Sequence, residues 1–535
     1  MTNTEPKVVL DKKVKRNILI AMCVSLMAVI ASVSTLNVAQ QELAIDFNAS
    51  QGKVLWIINI YTLVLAAFLL PIGAIGDRWG RKPVLMTGLS LFAASSALAA
   101  VANSAELMIG ARALSGLAAA MIMPVTLSVI TSSFPEEERG QAIGIWAGVA
   151  GGGGMIGMFV AALMVDTATW RWAFILPIAL VAIGFALSAK FVPNSKEKTE
   201  HRFDIGGSIL SLIAIGGIVL GFHEGPENGW TSSLALGGLI LGFVSLALFA
   251  AWELKQDNPL LDVRTFKNRG LSTGSLTIML VFAVMFGIFL VLFPFLQAVL
   301  GYSALKSASA ILPMAVMMMP MSTVAPKIAK KIGSKKTIMT GLALTTAGLV
   351  TLALNASVEG GYLSVLPGLM ILGLGMGLTM TPSTEAITES LPQDKQGVAS
   401  ALNDTTREIG GAIGVALLGA IVTSGYKGAI KPDLKGVPSE IAKQASEGIG
   451  NAYGVVESAG KSLAPQQAGQ IIDAAKHAFV DGWVQAMWIG ACILTFAFVY
   501  VAILGPRKKD DVLDLDLEKD ALVDAESADF ETVVN

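Results

Sequence analysis

The sequence predicts an all-α integral membrane protein of fourteen transmembrane helices, and three observations carry the prediction. Apolar residues make up 53% of the 535-residue chain and charged residues only 15%, against roughly a quarter charged in soluble domains. A soluble fold of this length would leave too much of that apolar surface facing water. The charges cluster in short segments between apolar runs, and run after run reaches the ~20 residues that a bilayer core requires. Finally, basic residues gather on alternate connections, as they do when short loops alternate between two sides of a membrane.

Taken in order, the first apolar run, 17–39, follows Lys12, Lys13, Lys15 and Arg16 and superficially resembles a signal peptide. It exceeds the ~7–15 apolar residues of such signals, so it reads as a retained first helix. The next five spans are expected at 53–74, 84–103, 105–130, 141–165 and 171–192. Two further spans fall at 204–223 and 232–253, and a last six at 271–298, 304–326, 336–354, 362–388, 397–425 and 477–504. The domains follow: an N-terminal segment 1–16, a six-helix bundle 17–192, two extra helices with flanking loops 193–260, and a second six-helix bundle 261–505. Residues 506–535 form a tail rich in acids, including Asp510, Asp511, Asp514, Asp516, Glu518 and Asp520. High charge with few aromatics predicts disorder there.

Sidedness follows from Lys and Arg. Arg78, Arg81 and Lys82, then Lys196, Lys198 and Arg202, then Arg264, Lys267 and Arg269, then Lys327, Lys330, Lys331, Lys335 and Lys336 share one side. The opposite connections at 103–106 and 224–231 hold almost none. Both termini are therefore expected in the cytoplasm of a bacterial cell, beneath its cytoplasmic membrane. The long loop 426–476, rich in Ala, Gly and Ser, is expected outside with one short helix.

Composition also narrows the chemistry. A net charge of −2 points away from nucleic acid. Cys23 and Cys492 lie in apolar runs near opposite ends of the chain, and His201, His223 and His477 lack ligand-like spacing. No disulfide framework or metal site is expected. No GxxxxGK loop occurs, so direct coupling to ATP is not expected. The expected partners are lipid, a small molecule and protons, with no cofactor beyond the proton gradient, and the protein is expected to be a monomer.

The segment at 73–82, Gly-Ala-Ile-Gly-Asp-Arg-Trp-Gly-Arg-Lys, aligns without gaps with 326–335, Pro-Lys-Ile-Ala-Lys-Lys-Ile-Gly-Ser-Lys. Each joins a second to a third helix of a six-helix set, a repeat plan common in transporters. The first copy resembles the loop signature of the major facilitator superfamily, carried by Gly73, Asp77, Arg78, Gly80, Arg81 and Lys82. The acid and arginines can form a conformational latch. A plain topology-setting loop is the other reading, and the two are compatible. The pair is expected to be surface-exposed and worth at most ~1 kcal/mol.

WIINIYTL (56–63), ARALSGLAAAMIMP (111–124), TWRWAF (169–174), FDIGGS (203–208), EGPENGW (224–230), NPLLDVRTFKNR (258–269), LGYSALKSASAILP (300–313) and ALNDTTREIGGAIGVALLG (401–419) extend the likeness. Together, in that order, they resemble the fourteen-span drug/proton antiporters of that superfamily. The resemblance implies the major facilitator fold, two six-helix bundles plus two inserted helices. It also implies proton-coupled efflux of hydrophobic or amphipathic compounds, cationic ones included, by alternating access. It is not an enzyme's pattern. An uptake symporter or facilitator, and a transporter-derived sensor, remain alternatives. Two departures stand out. Ser32 occupies the position where the family carries an acid, before Asn37, and the fifth-helix Gly-Pro-x-x-Gly-Gly is replaced by Gly157-Met158-Phe159-Val160-Ala161-Ala162. The glycine run 151–154 offers close packing one turn earlier.

Polar residues within spans point to the transport site. Arg112 lies inside the fourth span, where a guanidinium costs roughly 2.5–3.5 kcal/mol on insertion scales, so function is the default reading. The resemblance gives it a role in proton coupling; an anchor to backbone carbonyls is the other reading. On the thirteenth span Asp404 and Glu408 are four residues apart and share a face. Glu408 lies about ten residues, or ~15 Å, in from Gly397, near the midplane. An ionised acid there is costly, which suits it to carry a proton. Arg407 can pair with Asp404 and leave Glu408 the freer group; a neutralised pair with Glu408 merely hydrogen-bonded is the alternative. Glu385 is the reserve proton carrier. Substrate is expected near midplane between the halves, with Ser32, Asn37, Trp56, Tyr61, Met317 and Asn403 as its lining. Met314, Met317, Met318, Met319 and Met321 crowd the tenth span, where methionine suits either packing or promiscuous apolar binding.

Overall fold

A backbone crossing hydrocarbon must satisfy its own polar groups, and a helix does this within one segment. The computed structural model describes residues 11–195, 203–460 and 463–506, and among them every regular element is helical. The acidic tail beyond Pro506 and the segment holding Lys196, Lys198, His201 and Arg202 lie outside the described residues, as does the side chain of Asn37.

The N-terminal half comprises α1 (Lys12–Asp46), α2 (Gln51–Trp79), α3 (Arg81–Ala100), α4 (Ala105–Ser133), α5 (Glu136–Thr167) and α6 (Ile175–Phe191). The inserted hairpin is α7 (Ile205–Asn228) and α8 (Ser233–Glu253). The C-terminal half begins with α9 (Arg269–Pro294), α10 (Ala304–Ile332), α11 (Ser334–Asn355), α12 (Leu366–Glu389) and α13 (Gln396–Ile430). Two short helices follow, α14 (Ser439–Ala445) and α15 (Ile449–Ala459), and α16 (Pro465–Leu504) closes the bundle. Fourteen of these are long and apolar enough to cross a membrane. Many start where a polar side chain accepts a first-turn N–H, as Ser50 does from Lys53, Ser104 from Leu107 and Ser303 from Lys306, the usual N-cap arrangement.

Several helices outrun their apolar stretches. α1 continues to Asp46, α13 to Ile430, and α16 starts at Pro465 rather than near 477. Hydropathy marks the part in hydrocarbon, whereas a helix persists until its sequence breaks it; Pro465 sits at the first helical position, where its missing N–H costs nothing. The long loop accordingly holds two short helices instead of the one expected. Tyr426 ties it down by donating to the Ala445 carbonyl at 2.8 Å, and Tyr453 by donating to Ala298 at 2.7 Å.

Within the N-terminal half, α1 packs on α5 and α6, while α2 and α3 pack on α4. Within the C-terminal half, α9 packs on α13, α10 and α11 on α12, and α11 and α13 on α16. The halves meet chiefly along two pairs, α2 with α13 and α5 with α10, with α4 also touching α13 and α12 touching α5. Each pair joins the second helix of one half to the fifth of the other, so the interface has an approximate twofold relation. α7 leans on both α2 and α13 at one side of this seam. Its partner α8 turns Ile240, Leu241, Phe243 and Val244 outward, an apolar face suited to lipid. The hairpin closes through glycines: a Cβ at Gly217 would stand 2.7 Å from the Gly238 carbonyl oxygen.

Candidate transport site and its latch

The face carrying the basic loops is where the two halves are bolted together. At the end of α2, Asp77 accepts from the backbone N–H of Gly397 at 2.8 Å to each carboxylate oxygen, and from Val398 at 3.2 Å. A carboxylate here meets the positive end of the α13 dipole. Arg81, the first residue of α3, donates to the same carboxylate at 2.9 and 3.2 Å and reaches the Gln393 carbonyl at 3.4 Å. Gly80 makes this geometry possible. Its φ of +112° turns the chain between α2 and α3 in a region other residues avoid. Gly73 then lets α2 touch α13, since a Cβ there would lie 2.6 Å from the Gly397 carbonyl oxygen.

The latch expected at the surface is therefore buried, with the Asp77 and Arg81 side chains 4% and 6% exposed. Sequence reasoning missed this because the partner, the bare N-terminus of α13, is 320 residues away and carries no side-chain signature. Arg78 stays half-buried, and Lys82 donates to Ala189 of α6 at 2.8 Å, inside its own half.

Deeper along the seam lies a polar cluster. Asn403 and Asp404 are fully buried, Arg407 is nearly so, and Glu408 is half-buried one position on. Asn403 donates to Asp404 at 3.1 Å and accepts from Thr384 of α12 at 3.1 Å. Arg407 stands 3.8 Å from Asp404, and its guanidinium lies 5.0 Å from the ring centroids of Trp146 on α5 and Phe282 on α9. Trp146 is fixed in turn by donating to Thr126 at 3.0 Å. One oxygen of Asp404 and two nitrogens of Arg407 find no hydrogen-bond partner among the described residues. The cluster is thus incompletely satisfied at the contact between halves, a costly state that a static scaffold would avoid.

On the N-terminal side, Arg112 is 1% exposed and donates to Ser32 at 2.8 Å. It also lies 4.2 Å from the Tyr61 ring centroid. Gly116, one turn along α4, allows this approach; a Cβ there would strike the Tyr61 carbonyl oxygen.

The structure brings Ser32, Tyr61 and Arg112 together in the N-terminal half, and Asn403, Asp404 and Arg407 together on α13 with Glu408 one position on. It places others elsewhere. Glu385 sits at the level of the latch, against Gly140 of α5, with Arg139 and Lys330 as nearby cations. Trp56 is half-buried on α2, farther from the basic face than Tyr61. Met317 packs on Gly373 of α12, within the C-terminal half, whereas Met318 and Met319 press on Gly151 and Gly152. The glycine run does bring α5 close to α10, and Gly157 packs on Ala31 of α1. Trp146 and Thr384 were not singled out from sequence; only the third dimension pairs them with Arg407 and Asn403.

Two helical bundles joined along a seam with a half-satisfied polar centre suit a membrane transporter. The Major Facilitator Superfamily profile matches residues 21–415, and the chain belongs to that family. It is 33% identical over 465 residues to the multidrug efflux pump LfrA of Mycolicibacterium smegmatis, covering 86% of this chain and 90% of that protein. Identity is 30% over 449 residues to the methyl viologen resistance protein SmvA of Salmonella typhimurium, covering 84% and 89%. It is 32% over 379 residues to the quinolone resistance protein NorB of Staphylococcus aureus, covering 70% and 81%. Among solved structures, a bacterial homologue of the human lysosomal transporter Spinster superposes with a TM-score of 0.58 at 14% identity, covering 93% of this chain and all of that one. The proton:xylose symporter XylE gives 0.57 at 14% identity, covering 93% and 97%.

Proposed function

We propose that this protein is a proton-coupled multidrug exporter of the cytoplasmic membrane. It moves hydrophobic or amphipathic molecules, cationic ones included, outward by alternating access. The observation that carries export is the similarity along most of the chain to one relative named as a multidrug efflux pump and another named as a methyl viologen resistance protein. Both termini and the latch then face the cytoplasm, as the basic loops require. With Asp77 seated on α13, the cytoplasmic side is the closed one. Proton coupling rests on Glu408. It is the half-buried acid of the cluster, whereas Asp404 is fully buried and stands 3.8 Å from Arg407.

The test is Glu408→Gln in everted vesicles, with membrane abundance checked first. Substrate binding survives, while proton-driven accumulation and its pH dependence collapse by at least tenfold. Unchanged pH-dependent transport removes Glu408 as carrier and moves the assignment to Asp404 or Glu385. A second reading, proton-driven uptake, is favoured by one observation: α5 runs through 157–162 as continuous helix without the proline of the antiporter signature. The same vesicles separate the two, because an importer gives no accumulation.

A further inference from the structure

The inserted hairpin carries the chain from one half to the other, and two acids meet at its base. Asp204 caps α7, where its Oδ1 accepts from the Gly207 backbone at 2.8 Å and from the Trp252 indole at 3.0 Å. Glu253, the last residue of α8, is fully buried, and its Oε2 accepts from the Leu261 backbone at 3.3 Å. The second oxygen of each acid is also buried and has no hydrogen-bond partner among the described residues. These two oxygens converge on one point, because a Cβ at Gly207 would strike both Glu253 Oε1 and Asp204 Oδ2.

The described cations nearby are committed elsewhere or face water. On the linker that follows α8, Arg264 donates to the Leu254 carbonyl at 2.8 Å and stands 3.9 Å from Asp262, while Lys255, Asp257 and Lys267 are exposed. On α2 and at the start of α3, Asp77 and Arg81 hold each other, and Arg78 and Arg269 are engaged in other contacts. Just before α13, Lys395 donates to the Pro259 carbonyl at 2.9 Å, and Asp394 is exposed. Two ionised carboxylates in one buried site repel, whereas a single proton between them removes one charge and supplies the missing hydrogen bond to both oxygens.

We propose that Asp204 and Glu253 hold one proton between them, forming a proton-binding clasp that fastens the linker between the two halves. The clasp is separate from the polar cluster on α13 and does not depend on which acid drives transport. With the proton in place, Glu253 stays against Leu261, and Leu260 and Leu261 remain buried. When the proton leaves, the two anions push the base of α7 from the end of α8, and Glu253 withdraws from Leu261. The linker then slackens where Lys395 ties it beside the latch. The clasp is closed at low pH and opens as pH rises on the latch side.

The test places a thiol under the clasp. In a chain with Cys23→Ser and Cys492→Ser, Leu260→Cys is labelled by a water-soluble thiol reagent from the latch side across a pH series. Each rate is divided by that of the same thiol in the unfolded chain, which cancels the thiol's own titration. The ratio is expected to rise about tenfold through a single midpoint between about pH 5 and pH 9, the range open to a buried carboxyl pair. Glu253→Gln supplies a permanent N–H toward Asp204 Oδ2 and keeps the ratio low at every pH. Asp204→Asn does the same from the other side, so the result does not hang on the folding of one variant. A flat wild-type profile overturns the shared proton. So does a wild-type rise that persists unchanged in both Glu253→Gln and Asp204→Asn, because the titrating group then lies elsewhere.

Discussion

The two seams between the halves repeat one backbone plan with opposite chemistry. At the α2–α13 seam a carboxylate caps a helix N-terminus and is buried. At the α10–α5 seam the aligned position is Lys330, whose Nζ donates to the Glu137 carbonyl at 2.9 Å in an exposed setting. The scaffold is common to both: Gly80 and Gly333 have φ of +112° and +91° and end the second helix of each half. The first seam adds charge-assisted hydrogen bonds, worth about 1.5–3 kcal/mol each. The second places a cation beside the end of a helix that favours anions, offset by Glu136, Glu137 and Glu138 in that first turn. One seam is fastened by buried charge-assisted hydrogen bonds, and the other is made mostly by packing.

Removing the charge at the latch should have the largest effect. Asp77→Asn keeps an acceptor but loses the anion that faces three N–H contacts and Arg81. Weakening even one such bond by about 1.5 kcal/mol shifts a two-state equilibrium roughly tenfold. Transport in everted vesicles should fall at least that far while the protein still inserts and accumulates in the membrane. A wild-type rate would show that the buried carboxylate does not bias the two states.

Sterics at the same seam should matter next. Gly73→Ala puts a methyl 2.6 Å from the Gly397 carbonyl oxygen and against the Ala401 side chain, so α2 and α13 must separate by a few tenths of an ångström or more. The expected result is a several-fold loss of transport, with a cysteine placed at Ser400 labelled faster by a water-soluble thiol reagent from the latch side. Unchanged labelling would mean that the seam absorbs the methyl without opening.

The contrast between the seams also explains what the sequence could reveal. Length, hydropathy and basic loops fix the number of spans, because the bilayer imposes the same ~20-residue requirement on each. The loop at 73–82 is legible because its turn needs Gly80 and its charges sit together in the chain. Its receptor is not, since Gly397 and Val398 contribute only backbone N–H groups that every helix start possesses. Asp404 and Glu408 are legible as acids in an apolar helix. Trp146 is not, because a tryptophan in a span usually means packing, and only the meeting of α5 with α13 sets it against Arg407. Along the methionine run a one-position step turns a helical side chain by about 100°, so Met317 packs on Gly373 while Met318 and Met319 take the seam with α5.

The weaker seam gives the smallest expected effect and the sharpest check on the comparison. Lys330→Met removes the ammonium but keeps most of the apolar stem, which covers surface much as lysine does. The lost hydrogen bond to the Glu137 carbonyl is exposed, and water can replace it, so its net worth is about 0.5–1 kcal/mol. That predicts a two- to fivefold change in transport rate, well below the effect of Asp77→Asn, and one that shrinks at high salt because exposed charges are screened. Glu385, which lies against Gly140 beside Lys330, would lose a neighbouring cation as well. If Lys330→Met instead matches Asp77→Asn in severity and is insensitive to salt, the two seams are equal latches. The difference in their burial would then carry no functional weight.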